Sequence, residues 1–172
     1  MKVVKITLIA MLTAATVVIG IIESFIPSVG IPGVKLGLAN IMVLITLYEM
    51  GIISALFVSL SRVVLVGLIR GTFLSMGFLM SLSGAILSLG VMVLFYLLIK
   101  KFSIIGVSVI GSIFHVTGQI LVAMIYLSTP YVIFYLPIIA ISAIITGVFV
   151  GIVARLIIKT EVIKKQREKY NF

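Results

Sequence analysis

Ile31-Pro32-Gly33-Val34-Lys35-Leu36-Gly37-Leu38-Ala39-Asn40 is a polar, glycine-rich interruption in a chain that is otherwise almost continuously apolar. Proline has no N–H to donate and glycine disfavours helix, so Pro27, Gly30, Pro32, Gly33 and Gly37 together break any helix here. On either side lie the apolar runs Ile6 to Ile22 and Ile41 to Leu47. Hydrocarbon offers no partner for irregular backbone, which is tolerated in a membrane protein only at a water interface or where it lines a cavity. The segment therefore reads as the rim of a site.

The composition agrees. Of 172 residues, 63% are hydrophobic and 10% charged, and the mean hydropathy is +1.45. Such values lie far outside those of soluble domains and describe a polytopic membrane protein. No polar stretch is long enough to form a separate soluble domain, so residues 1–172 read as one transmembrane domain ending in a short basic tail at 159–172. The absence of cysteine rules out a disulfide framework and thiolate metal or redox sites. Lys2 and Lys5 before the first apolar run imitate a signal peptide, but the run is long and closes on Glu23 and Pro27 rather than on a small-residue cleavage site, so it reads as a retained span.

A spanning helix needs about 20 apolar residues. On that basis the sequence predicts a bundle of six transmembrane helices: Lys5 to Ile22, Leu36 to Tyr48, Gly51 to Ile69, Phe73 to Ile99, Ser103 to Leu127, and Phe134 to Ile158. The second is short. The net charge of +9 is distributed as membrane topology requires, not as a nucleic-acid surface. With the N-terminus inside, Lys2, Lys5, Lys100, Lys101, Arg155, Lys159, Lys164, Lys165, Arg167 and Lys169 are cytoplasmic, and only Lys35, Arg62 and Arg70 are not. Both termini are then cytoplasmic, in a multi-pass membrane protein whose basic tail touches anionic lipid.

Ionisable groups at membrane depth are costly and hence candidates for function. Arg62 sits roughly 16 Å into the third span at 1.5 Å per residue, near the midplane. Arg70 closes the same span, where its side chain can snorkel. His115 and Gln119 share a face of the fifth span, which Tyr126 extends outward. Asn40 lies at the start of the second helix, while Glu23 and Lys35 flank the broken loop and are able to pair with each other. In the topology above, Glu23, Lys35, Asn40, Arg62, Arg70, His115, Gln119 and Tyr126 all fall at the midplane or in the outer half. A mildly cationic pocket opening outward accounts for this asymmetry, and it favours an anionic solute. One histidine without a nearby carboxylate makes no metal site. No aspartate occurs anywhere, nor any phosphate-binding Gly-Lys-Ser/Thr loop, so active transport would draw energy from a partner or an ion gradient.

Two small-residue pairs, Ala10/Ala14 in the first span and Gly147/Gly151 in the sixth, allow another helix to approach closely.

Pro32-Gly33-Val34-Lys35-Leu36-Gly37-Leu38-Ala39-Asn40-Ile41, preceded by Glu23-Ser24-Phe25-Ile26-Pro27, resembles the signature of a prokaryotic membrane family called both Gx transporter and heptaprenyl diphosphate synthase component I. The resemblance covers nearly the whole chain, and Arg62 and Arg70 fall where that family has its third-helix arginines. It makes the chain look like a relative of the substrate-binding S components of energy-coupling factor (ECF) vitamin transporters. This implies six helices, cytoplasmic termini and an outward pocket. It also implies that Ala10 and Ala14 dock a transmembrane coupling subunit driven by two ATPases. The synthase name implies aspartate-rich motifs that hold magnesium diphosphate, which this aspartate-free sequence cannot supply. The expectation is a non-enzymatic, cofactor-free subunit that captures a small anionic or vitamin-like solute. The alternatives are a stand-alone secondary transporter and an accessory subunit of prenyl diphosphate or quinone metabolism.

Overall fold

The computed structural model describes residues 2–25, 37–98 and 102–160, which are helical throughout apart from their connections. In chain order the elements are α1 (Lys2–Glu23), α2 (Asn40–Met50), α3 (Ile52–Ile69), α4 (Met76–Leu98), α5 (Ile104–Tyr126), a 3-10 turn (Pro130–Tyr135) and α6 (Leu136–Lys159). Among the described residues, five segments are long and apolar enough to cross a membrane: Val4–Glu23, Ile52–Ile69, Met76–Leu98, Ile104–Tyr126 and Pro130–Lys159. The protein is an all-helical, multi-pass membrane protein.

The helix α2 is the exception in length and the centre of the packing. It begins at Asn40 rather than at Leu36, because Gly37 adopts φ +83° and the N–H groups of Asn40 and Ile41 close short turns onto Gly37 and Leu38. Its 11 residues span about 16 Å, half the thickness of a hydrocarbon core. It does not need to face lipid: Ile41, Val43, Leu44, Ile45, Thr46 and Leu47 are all buried, with α1, α3 and α6 packed around them. A helix enclosed on every side shows no apolar stripe, since each face meets protein. At its far end Gly51 alone turns the chain into α3, with φ 86° and ψ 177°, a region open essentially to glycine only.

The other half of the bundle, α4, α5 and α6, is held by close backbone approach. A Cβ at Gly118 on α5 would lie 2.8 Å from the Ser83 carbonyl oxygen on α4, and the Ser83 hydroxyl donates to the Gly118 carbonyl at 2.9 Å. Gly147 and Gly151 on α6 meet Val109 and Ile105 on α5, at 2.8 and 2.6 Å from a notional Cβ to each Cα. Van der Waals packing at small residues is what joins helices where lipid removes the hydrophobic drive. The Gly147/Gly151 pair is thus internal, whereas Ala10 and Ala14 on α1 are exposed. Buried hydroxyls of Thr13, Thr16, Thr46 and Ser81 bond back to carbonyls of their own helices, and that of Ser54 on α3 to the Met50 carbonyl at the end of α2, satisfying them without water.

The helices run alternately up and down, so the ends of α1, α3 and α5 meet the starts of α2, α4 and α6. Exposed Phe25, Phe73, Tyr126, Tyr131, Phe134 and Tyr135 collect at this end. At the opposite end Tyr48 meets Tyr96 and Phe95 meets Phe102, near Arg155 and Lys159. Aromatic rings at both ends match the two interfaces of a bilayer.

Candidate functional site

A cavity of about 100 Å³ opens at the first of these ends, among α1, α3, the α3–α4 connection, α4 and α5. Arg62 forms part of its wall. It is the eleventh of the 18 residues of α3 and only 5% exposed. The helix α1 lies against the Arg62 stem because Gly20 has no side chain: a Cβ there would stand 3.9 Å from Arg62 Cγ and 3.2 Å from Val66 Cγ2. Among the described residues, no hydrogen bond or ion pair closes on the guanidinium. Its electrostatic partner is Glu23, which lines the same cavity.

Glu23 is itself committed elsewhere. Its Oε1 accepts hydrogen bonds from the N–H groups of Gly37 and Leu38, the latter at 3.2 Å, and the residue is 4% exposed. One carboxylate oxygen thereby pins the end of α1 to the turn that starts α2. That turn abuts His115, whose Cδ2 would lie 3.4 Å from a Cβ on Gly37. His115 is 2% exposed and lines the cavity floor. Its Nε2 lies 2.8 Å from Gln119 Nε2, so with the amide nitrogen as donor the imidazole accepts at that atom. On its other side Gly84 leaves room for the ring, with a notional Cβ 3.0 Å from Nδ1.

At the mouth stands Arg70, exposed, its guanidinium carbon 5.8 Å from the centroid of the Phe25 ring. Thr72, Ser75 and Ser81 add hydroxyls, while Val63, Val66, Gly67 and Phe78 supply the apolar wall. The chamber thus offers cationic and hydroxyl donors around a small volume. No group of three or more His, Cys, Asp or Glu that could hold a metal occurs among the described residues. A second, wider recess of about 450 Å³ lies on the outer surface between α4 and α5, lined mainly by Leu79, Leu82, Ile86, Val122, Ile125 and Tyr126.

Compared with known proteins, residues 12–157 match the family model described as heptaprenyl diphosphate synthase component I. The chain belongs to this family. No curated protein and no solved structure shows a significant match. In this component I family member, Glu23, Arg62, Arg70 and His115 are brought together around one cavity, as four of the residues singled out from sequence. Gln119 stands one turn beyond, bonded to His115. Asn40 is 4% exposed and its Nδ2 donates to the Ser88 hydroxyl at 3.3 Å, which ties α2 to α4 rather than facing the cavity. Tyr126 is 59% exposed and borders the outer recess, because the stripe from His115 has turned away from the core by the last turn of α5. Lys35 lies outside the described residues.

Sequence reasoning passed over the contribution of α4 and the connection before it. The run Gly71-Thr72-Phe73-Leu74-Ser75-Met76-Gly77, small and polar directly after Arg70, was the available signal. Hydroxyls alone stand out little in a membrane sequence, because most bond to their own helix.

Proposed function

We propose that this protein is a substrate-binding membrane subunit, similar to the S components of ECF transporters, that captures a small anionic or vitamin-like solute for uptake. The observation that carries this reading is Arg62, a guanidinium nine-tenths buried at the wall of a cavity open at one end of a membrane bundle. An intramembrane charge facing a cavity is the usual mark of a solute pathway. The Lys and Arg distribution supports cytoplasmic termini and an outward cavity. In this reading α2 counts as the sixth membrane helix, and the chain performs no catalysis of its own.

The energy comes from a transmembrane coupling subunit with ATPases, docked on the exposed α1 face that carries Ala10 and Ala14. Small residues on an otherwise unenclosed helix support such docking. The test is copurification and uptake. Wild-type protein is expected to retain a coupling subunit and to support ATP-dependent uptake, and Ala10→Leu/Ala14→Leu to lose both. Uptake that persists without ATP and collapses with the ion gradient identifies a secondary transporter instead.

The family description favours a second reading, an accessory subunit in prenyl diphosphate metabolism. It predicts that deletion alters prenyl chain synthesis while solute uptake stays intact.

A further inference from the structure

Resting on the reading of the cavity as a binding chamber, we infer that it recognises an oxyanion head, a carboxylate or phosphate, which Arg62 grips at depth while the rest of the ligand stays at the Arg70 and Phe25 mouth. Volume argues for partial insertion. At about 100 Å³ the cavity is several times smaller than the roughly 300 to 1,000 Å³ of pockets that enclose whole organic ligands. It holds a headgroup, not a whole vitamin-sized molecule.

Charge argues for the sign. The buried Arg62 guanidinium presents a planar fork of donors, with no hydrogen bond from the described residues to absorb them. The one local carboxylate does not balance the site: Glu23 Oε1 already accepts from two backbone N–H groups at the turn before α2, and its single charge faces two arginines, Arg62 and Arg70, around the same cavity. An entering oxyanion would supply the acceptor pair that the fork matches. Ser75 lines the same wall, and its hydroxyl, which accepts from the Phe78 N–H, keeps its proton to donate to a carboxylate or phosphate oxygen. Arg70, eight residues further along α3, lies about 12 Å higher at 1.5 Å per residue and is exposed to solvent. Its place is to draw the anion inward and to contact the body of the ligand beside Phe25.

Such an oxyanion has two possible sources, a soluble solute or a prenyl lipid phosphate. The full-length protein in detergent would be titrated calorimetrically with benzoate, phenyl phosphate and geranyl diphosphate, with benzyl alcohol as the neutral counterpart. At least one oxyanion is expected to bind at least about tenfold more tightly than benzyl alcohol, and Arg62→Gln to lose about tenfold or more of that affinity, with Arg62→Lys between the two. Helical circular dichroism and elution volume show whether each variant is folded, and the comparison of oxyanion with alcohol on the wild type needs no variant. Binding of benzoate or phenyl phosphate points to a soluble ligand, and binding of geranyl diphosphate alone to a prenyl lipid. Equal binding of benzyl alcohol, undiminished binding by folded Arg62→Gln, or no binding of any oxyanion overturns the inference. Partner-driven uptake of a neutral solute would remove this inference and keep the proposed function. Arg62-dependent oxyanion binding without uptake would do the reverse.

Discussion

Glu23 illustrates how one side chain changes meaning between sequence and structure. In sequence it is a carboxylate at the end of an apolar span, available to Lys35 or to Arg62. In the folded chain it accepts from Gly37 and Leu38 N–H, and so joins α1 to α2 at the edge of the cavity. A charged acceptor strengthens such bonds, so Glu23→Gln is expected to cost about 1 kcal/mol. A lowered thermal midpoint in detergent, followed by circular dichroism, would show it; an unchanged midpoint would mean that the pin contributes nothing. Gly37→Ala acts on the same joint through the backbone. With φ at +83° an alanine is strained by about 1 to 2 kcal/mol, and its Cβ presses on the His115 ring. Both variants should loosen the cavity, Gly37→Ala through the backbone alone and Glu23→Gln while also removing the carboxylate charge that faces Arg62.

At the scale of helices, the two small-residue pairs separate cleanly. Gly147 and Gly151 are consumed by α5, as Gly118 is by α4, whereas Ala10 and Ala14 face outward. Sequence spacing is identical in the two pairs, so spacing could not distinguish an internal seam from a free face. Only the neighbours do. Gly118→Leu is therefore expected to unfold or strongly destabilise the protein, since its side chain would enter the α4 backbone at Ser83 and Gly84. Ala14→Leu should change the stability by no more than about 0.5 kcal/mol, as surface substitutions do, and so leave the thermal midpoint close to that of wild type. If Ala14→Leu destabilised the isolated subunit as Gly118→Leu does, the α1 face would be part of the fold and not a docking surface.

The molecule as a whole presents one end with a cavity, two arginines and exposed aromatics, and another with Arg155 and Lys159. The natural sequence has no cysteine, which makes the orientation directly measurable. In intact cells a membrane-impermeant maleimide is expected to label Tyr131→Cys at the cavity end and to spare Thr160→Cys until the membrane is opened. The opposite pattern would invert the bundle and turn the cavity toward the cytoplasm.

The sequence by itself determined that this chain is a helical membrane protein, where its long apolar spans lie to within a few residues, and that Arg62 and His115 are ionisable side chains at depth in two of them. These follow from one-dimensional quantities, the length of apolar runs and the cost of placing charge in hydrocarbon, which need no knowledge of neighbours. Tertiary structure alone decided which of those groups share a chamber. It directed Asn40 to Ser88, turned Tyr126 outward and brought in Ser75 from the α3–α4 connection and Ser81 from α4. It also placed the shortest helix, α2, at the centre, where burial on every side lets 11 residues suffice. The reason is physical: a lipid-facing surface and a helix-facing one are equally apolar, so hydrophobicity cannot say which side of a membrane helix meets protein.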